Sequence, residues 1–258
     1  MSDLQKANIG DIPLVWHEPE RAEERTLVIW LPGFSGTKEA MEPYLVDLAE
    51  AGFVALSFDP HQHGERMIES LEELRTRVRG NLRRYFWPIL AQTAEDASRV
   101  IDWAIPHLGV GERVGMGGIS AGGDASVAAA GVDPRIGVVA AGVATPDWLR
   151  PGSFEPPGEP DEAAQARYDR RNPLTNLEAY RHRPAISFQC GAQDEQVPPS
   201  GALRFAKALR EEIYATSPER LEVVLHEGVP HRFTDESWRN CVAWFQRHLA
   251  PGSAVGHS

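Results

Sequence analysis

The chain has 258 residues, of which 42% are apolar, so it is long enough to bury a large core within one domain. Its formal net charge of -11 at pH 7 argues against a nucleic-acid partner and against binding to an anionic membrane surface. No apolar run approaches the length of a membrane-spanning helix, and the first residues, MSDLQKANIGDI, lack an apolar signal core. Because its two cysteines, Cys190 and Cys241, make no disulfide framework, we expect a cytoplasmic protein with reduced thiols.

Short apolar runs alternate with helical patterns in the first half of the chain. The run TLVIWLPG (26–33) is rich in β-forming residues and ends in Pro-Gly, which predicts a buried strand. A helix follows, because apolar residues recur at helical spacing at Met41, Tyr44, Leu45 and Leu48. The run FVALSFDP (53–60) predicts the next strand, and a long helix is predicted to begin at Pro88.

The second half of the chain continues the alternation. Strands are predicted for ERVGMGGIS, RIGVVAAGV, PAISFQCG and LEVVLHEG. Helices are predicted for AGGDASVAAAG, ALRFAKALREEIY and SWRNCVAWFQRHL. Alternating strands and helices indicate βαβ units, so the sequence predicts an α/β protein whose mainly parallel central sheet has helices on both faces.

Two segments interrupt the alternation. Residues 64–87 are charged and amphipathic, and residues 147–183 are rich in proline, arginine and acidic residues. Both follow predicted strands, where α/β sheets carry their sites, so we expect short insertions over the active site within one domain spanning 1–258. The small, polar residues 251–258 are predicted to form a disordered tail.

The motif G-x-S-x-G occurs at Gly118–Gly122, where a predicted strand gives way to a predicted helix. A serine at such a sharp turn projects its hydroxyl above the sheet, and glycines two residues away on each side avoid crowding. The N-terminus of the following helix favours negative charge at the same place. The motif alone is a weak signal, but its position in the alternation makes Ser120 the candidate nucleophile.

A serine nucleophile needs a base and an acid that orients the base, and both occur in later loops. Asp194 follows the strand PAISFQC, and His231 follows the strand LEVVLH and precedes the last helix. The order serine, acid, histidine is the one found with this type of turn. Glu195 is the nearest rival acid, and His226 is a weaker candidate base because it belongs to the strand itself.

An oxyanion formed during acyl transfer needs two hydrogen-bond donors. The first expected donor is the backbone N–H of Ala121, the residue after the nucleophile. The second is expected from LPGFSGT (31–37), the loop after an earlier strand, where we assign the N–H of Phe34. An ordinary β-to-α turn is the alternative interpretation of that loop.

Together these residues resemble the α/β-hydrolase superfamily, from TLVIWLPGF to the last helix. The resemblance rests on LPGFSGTKE, DPHQHGER, GGISAGG, GAQDEQVP and GVPHRF. Within the superfamily the chain is similar to small bacterial esterases and to dienelactone-hydrolase-like or prolyl-oligopeptidase-like hydrolases. The stretch DPHQHGER (59–66) looks like the D-x-x-x-HGER stretch of one group of bacterial esterases.

The resemblance implies a serine hydrolase that transfers an acyl group to water without a cofactor. A carboxylesterase acting on small to medium acyl esters is the leading interpretation. A peptidase or amidase and a lactone hydrolase with the same triad are alternatives, and a non-catalytic binding protein is a further one. The expected partner is a small-molecule ester, and a homodimer is left open.

The substrate pocket is expected to involve Phe34, His63 and Trp148, with Trp87 as a further candidate wall. For both tryptophans, ordinary core packing is an equally good interpretation. Asp59, His61 and His63 could be metal ligands, but H-x-H without a further ligand cluster favours a structural loop held by salt bridges, so no metal site is predicted.

Overall fold

The computed structural model describes residues 3–20 and 25–249. In this part of the chain, strands form one sheet in the order β1-β2-β4-β3-β5-β6-β7-β8. The pairs β1/β2 and β2/β4 are antiparallel, and all other neighbouring pairs are parallel. The strands are β1 (Gln5–Ile9), β2 (Ile12–His17), β3 (Leu27–Leu31), β4 (Val54–Phe58), β5 (Val114–Ile119), β6 (Ile136–Gly142), β7 (Ala185–Gly191) and β8 (Leu221–His226).

Helices cover both faces of the sheet, so β3, β4 and β7 are buried along their whole length. One apolar cluster packs α1 and α7 against one face, and a larger cluster packs α3, α4 and α6 against the other. Within residues 3–20 and 25–249, no helix is both long enough and apolar enough to cross a membrane. The helices are α1 (Glu42–Glu50), α2 (Leu71–Gly80), α3 (Leu82–Leu108), α4 (Ala121–Val132), α5 (Glu162–Arg171), α6 (Ser200–Glu212) and α7 (Asp235–Leu249).

The predicted α/β class and the mainly parallel sheet are confirmed, and the differences are local. The antiparallel hairpin β1/β2 has no counterpart among the predicted elements; its exposed first strand, QKANI, lacks an apolar run. The helix predicted to begin at Pro88 begins at Leu82 instead, because the Asn81 side chain accepts a hydrogen bond from the Arg84 N–H at 3.0 Å. The predicted tail 251–258 lies outside the described residues.

A buried ionic cluster joins the loop after β3 to the loop after β4. The Asp59 carboxylate accepts hydrogen bonds from the Lys38 backbone N–H at 3.0 Å and from Lys38 Nζ at 2.9 Å. The Glu65 N–H donates to the same carboxylate at 2.9 Å. Burial acts to lower the pKa of Lys38, but hydrogen bonds to three carboxylates outweigh burial and hold that pKa above its usual range.

The remaining residues of DPHQHGER complete the cluster. Arg66 donates to the Asp59 carbonyl at 3.2 Å and forms an ion pair with the buried Asp96 at 2.8 Å. Gly64 has a φ of +55°, and a Cβ built on it would lie 2.2 Å from the Asp59 carboxylate. The turn therefore requires glycine at position 64 for two reasons: its positive φ, and the Asp59 carboxylate that occupies the space of a Cβ.

We expect Gly64→Ala to lower the free energy of unfolding by roughly 2 to 4 kcal/mol, because strain at positive φ adds to the clash with Asp59. Gly109 is the matched control, since it has a φ of +62° and no atom within 4 Å of a built Cβ. Gly109→Ala should cost only the backbone strain, about 1 kcal/mol. Urea denaturation of both variants measures the difference, and equal losses would show that the Asp59 contact is unimportant.

Candidate active site

Ser120 occupies a sharp turn between β5 and α4. Its φ of 52° and ψ of -116° are unusual for a residue with a side chain. A Cβ on Gly118 would lie 2.7 Å from the Gly122 carbonyl carbon, and a Cβ on Gly122 would lie 2.5 Å from the Leu31 carbonyl oxygen. Both glycines of the motif are therefore required by backbone contacts around the serine.

The first turn of α4 directs backbone N–H groups toward this turn. The Asp124 N–H donates to the Ser120 carbonyl at 2.9 Å and opens the hydrogen-bond ladder of the helix. The N–H groups that precede it have no acceptor within the ladder and point toward the N-terminus of α4. The Ala121 N–H belongs to this set, where the helix dipole favours negative charge.

The structure brings Ser120, His231 and Asp194 into one hydrogen-bonded chain. The distance from Ser120 Oγ to His231 Nε2 is 3.1 Å, and that from His231 Nδ1 to Asp194 Oδ2 is 2.6 Å. A carboxylate oxygen can only accept, so the neutral imidazole carries its proton on Nδ1 and leaves Nε2 free to accept from the serine. This tautomer is the one that a general base acting on Ser120 requires.

Backbone donors fix the orientation of the Asp194 carboxylate. The other carboxylate oxygen, Oδ1, accepts from the N–H groups of Gln196 at 3.0 Å and of Val197 at 2.8 Å. The Asp194 side chain is 1% exposed, whereas that of His231 is 22% exposed. The acid is thus buried and held from one side, and the imidazole remains open to a ligand on the other.

The loops after β7 and β8 meet because parallel strands end at the same edge of the sheet. A Cβ on Gly191 would lie 2.4 Å from the carbonyl oxygens of Val229 and Pro230. The Gln193 N–H donates to the Val229 carbonyl at 3.0 Å. This backbone contact sets the separation of the two loops and hence the distance between Asp194 and His231.

The loop after β3 lies alongside the nucleophile. A Cβ on Gly33 would lie 3.3 Å from the Ile119 carbonyl oxygen and 3.8 Å from Ser120 Cβ. The Gly36 N–H donates to the Gly33 carbonyl at 2.9 Å, which closes a tight turn around Phe34. Phe34, which we assigned as the second oxyanion donor, therefore directly follows Gly33, the residue at which this loop approaches Ser120.

Neither rival residue enters the hydrogen-bonded chain described above. Glu195 is exposed, although it is adjacent to Asp194. His226 is buried, and its Nε2 contacts Gln189 Oε1 at 3.0 Å and Ser237 Oγ at 3.3 Å. These contacts join β8 to β7 and α7, so His226 contributes to the packing at this edge of the sheet.

His63 and Trp148, the other predicted pocket residues, line different cavities. His63 lines a cavity of about 10 Å³, called the His63 cavity below, whose wall includes Pro32, Gly33, Thr93, Ala121 and Gly122. Trp148 lines a cavity of about 200 Å³ formed with 149–153 and Leu82, and that cavity contains no triad residue. The structure therefore places His63, but not Trp148, in a cavity walled by the turn after Ser120.

The tryptophans at 87 and 148 are buried in the core. Trp87 Nε1 donates to the Trp148 carbonyl at 3.0 Å, and its ring stacks on Tyr168 at a centroid distance of 4.3 Å. Both side chains therefore pack in the core, and Trp148 in addition borders the cavity of about 200 Å³.

A second buried ionic cluster was missed by reasoning from the sequence. Asp124 accepts from the Thr145 N–H and from Arg150, each at 2.7 Å, and Arg150 also pairs with Glu155 at 2.9 Å. Burial acts to lower the pKa of Arg150, but the two carboxylates raise it overall. The sequence signal that could have indicated this cluster is Asp124, a charged residue among the small and mostly apolar residues of AGGDASVAAAG.

This cluster connects the segment after β6 with the loop that carries the acid. The Gln196 side chain donates to Glu155 at 3.1 Å, and the Gln196 backbone N–H donates to Asp194. The Arg150 guanidinium also lies over the Phe86 ring at 5.1 Å, and Phe86 contacts Phe34. The pair Asp124–Arg150 therefore links both sides of the site.

Comparison with known proteins identifies relatives of this fold and site. The YitV protein of Bacillus subtilis is 24% identical over 265 residues, covering 96% of this chain and 100% of that protein. Esterase YjfP of Escherichia coli is 26% identical over 268 residues, with coverage of 96% and 100%. Among solved structures, TT1662 from Thermus thermophilus superposes with a TM-score of 0.77 at 24% identity, covering 97% of this chain and 100% of that one.

The family assignment rests on a direct match of the sequence. The model of the prolyl oligopeptidase family matches residues 91–252, which include Ser120, Asp194 and His231. The match covers most of the chain, and the eight-stranded sheet has the arrangement of an α/β-hydrolase. The chain therefore belongs to the prolyl oligopeptidase family and is a hydrolase with the α/β-hydrolase fold.

Proposed function

We propose that this hydrolase is a serine carboxylesterase in which Ser120 is the nucleophile, His231 the base and Asp194 the orienting acid. The observation that carries the proposal is the hydrogen-bonded chain from Asp194 through His231 to Ser120. The name of esterase YjfP, a relative matched over its full length, favours esters over amides. A peptidase, amidase or lactonase would use the same three residues.

In the acylation step, His231 Nε2 takes the proton of the Ser120 hydroxyl while Oγ attacks the ester carbonyl carbon. The carbonyl oxygen becomes an oxyanion that the N–H groups of Ala121 and Phe34 bind, each contributing roughly 3 kcal/mol. The imidazolium then protonates the alkoxy oxygen as its bond to carbon breaks. The alcohol leaves, and the acyl group stays on Ser120.

In the deacylation step, water replaces the alcohol. The water oxygen attacks the acyl carbon while His231 takes a proton from that water. The oxyanion again forms between the N–H groups of Ala121 and Phe34. When the bond between Ser120 Oγ and the acyl carbon breaks, the imidazolium returns the proton to Oγ and the carboxylic acid is released. Asp194 stabilises the imidazolium in both steps through its bond to Nδ1.

The two segments 64–87 and 147–183 are proposed to act as insertions that set the size of the substrate. Arg75 Nε in the first segment donates to Ser35 Oγ at 3.0 Å, next to Phe34. Arg150 and Glu155 in the second segment connect to Asp124 and Gln196. Both segments therefore contact loops of the active site. Hydrolysis of p-nitrophenyl esters of rising acyl length would measure the largest acyl group that the site accepts.

We further propose that the enzyme acts in the cytoplasm as one domain on small-molecule esters. The net charge of -11 is unfavourable for contact with nucleic acid or anionic lipid, which supports a diffusible substrate. The proposed reaction requires no cofactor, because the chain's own nucleophile, base and backbone donors supply every step. A homodimer is compatible with this mechanism, and light scattering measures the oligomeric state.

Replacing Ser120 by alanine tests the nucleophile. We expect Ser120→Ala to reduce kcat/KM for p-nitrophenyl acetate by a factor on the order of 10⁴ or more and to abolish labelling by a fluorophosphonate. Ser57 is the matched control, since its hydroxyl is buried in β4 and has no hydrogen-bond partner among the described residues. Ser57→Ala should leave the rate unchanged. Full activity of Ser120→Ala would refute the mechanism.

The identity of the orienting acid is tested by an isosteric pair of variants. We expect Asp194→Asn to lower kcat by about 10⁴, because an amide N–H facing Nδ1 favours the wrong tautomer, and an amide oxygen there lacks the charge that stabilises the imidazolium. The adjacent exposed residue provides the control, and Glu195→Gln should change kcat by less than about threefold, since exposed charges interact weakly. Steady-state kinetics of both variants decide between them, and the reverse pattern would assign the role to Glu195.

A further inference from the structure

His63 is a buried polar side chain that the proposed mechanism does not use. It is 2% exposed, and its Nε2 has no hydrogen-bond partner among residues 3–20 and 25–249. A buried nitrogen without a partner loses its hydration and gains no hydrogen bond in return, so its presence here calls for an explanation. The ring lines the His63 cavity, together with residues of the turn after Ser120.

The hydrogen bond on the other ring nitrogen determines what Nε2 can do. His63 Nδ1 lies 2.8 Å from the His61 carbonyl oxygen, which can only accept, so the proton of the neutral imidazole is on Nδ1. Burial lowers the pKa of His63 and favours this neutral form. Nε2 is therefore an acceptor, and a ligand that satisfies it must bring an O–H or N–H group.

The wall of the His63 cavity identifies the part of an ester that could reach it. Two residues bordering the cavity are Ala121, whose N–H is the first assigned oxyanion donor, and Gly33, which precedes the second assigned donor, Phe34. The alkoxy group of the substrate must meet His231 Nε2 to be protonated, and His231 is not among the residues that line the cavity. The cavity therefore adjoins the loop and the turn that carry the assigned oxyanion donors and not the base, which makes the acyl group the part of an ester proposed to reach it.

The cavity volume of about 10 Å³ restricts the donor to a small group. That volume is near the minimum that one water molecule needs, and a hydroxyl group is of similar size. Apart from His63 and the hydroxyl of Thr93, the wall consists of apolar side chains and backbone, including Pro60, Ile89 and Leu90. A hydroxyl close to the carbonyl carbon suits such a cavity better than a charged or extended group.

We propose that His63 Nε2 accepts a hydrogen bond from a hydroxyl on the acyl group of the substrate, so that the enzyme favours esters of small 2-hydroxy acids. This inference rests on the proposed esterase function and adds a specificity-determining residue to it. The discrimination has a physical basis, because a site built around a buried hydrogen-bonding group rejects an analogue that leaves the group unpaired.

Two esters of nearly equal size provide the test. Ethyl glycolate and ethyl propionate share the leaving alcohol and differ by a hydroxyl in place of a methyl group on the acyl side. We expect the ratio of their kcat/KM values, glycolate over propionate, to fall about tenfold or more from wild type to His63→Phe. Dividing one enzyme's ratio by the other's cancels the intrinsic reactivities of the two esters. A purely structural loss would lower both rates together.

Two further variants make the result independent of how well His63→Phe folds. His63→Gln places an amide oxygen as acceptor in the cavity and should recover part of the preference for glycolate. His61→Ala is the matched control in the same loop, because among the described residues the His61 ring has one side-chain hydrogen-bond contact, with Gln62 at 3.5 Å. It should keep the wild-type ratio.

The outcomes separate the inference from the function on which it depends. A ratio that stays the same in His63→Phe and His63→Gln, with both esters hydrolysed, would overturn the role of His63 and leave the esterase proposal standing. That result is also the one expected if the cavity held only a water molecule. If wild type hydrolyses neither these esters nor p-nitrophenyl acetate, the esterase proposal fails and the inference with it.

Discussion

The close contact of backbone with backbone around Ser120 is the constraint on which the site depends. The serine is held at positive φ, and the carbonyl group of Leu31 occupies the space that any side chain at Gly122 would need. This arrangement costs conformational energy, on the order of 1 to 3 kcal/mol for one such residue. In return, the hydroxyl, the N-terminus of α4 and the loop after β3 converge on one point without any further movement.

Two buried ionic clusters hold the loops on either side of that point. Asp59 and Lys38 fix the loop of Phe34, and Asp124 and Arg150 fix the segment that contacts the loop of Asp194. Buried ion pairs contribute little net stability, because removing the charges from water offsets their attraction. Positioning of loops is therefore the better physical account of both clusters. Each one replaces a mobile connection by several directed hydrogen bonds.

Reasoning from the sequence was most direct where the signal was local. The parallel sheet followed from short apolar runs between helical patterns, and Ser120 was singled out by glycines that the turn itself requires. Asp194 and His231 were placed by a topological rule, since loops at the carboxyl ends of neighbouring strands meet. The structure brings these three side chains together as that rule predicts.

The features that the sequence did not indicate depend on contacts between distant residues. The pairing of Arg150 with Asp124 spans 26 positions, and no local pattern states which carboxylate an arginine in a polar segment will meet. Trp148 shows the same limit, because a tryptophan in an inserted segment suits a pocket wall and a core equally well. Trp148 is buried beside Trp87 because α3 packs against the segment after β6, a contact between residues distant in the sequence.

The two sides of the proposed reaction centre differ in how far they are closed to solvent. On the side proposed for the acyl group, the His63 cavity is narrow, and its loop is held by the buried cluster of Asp59. On the side of the base, the His231 side chain is 22% exposed, although the Asp124–Arg150 cluster holds the segment that contacts the loop of Asp194. Discrimination requires groups that cannot relax to accept a poor substrate, whereas an open side tolerates many leaving groups. Together with the proposed role of His63, this difference predicts selectivity for the acid part of the ester and tolerance toward the alcohol.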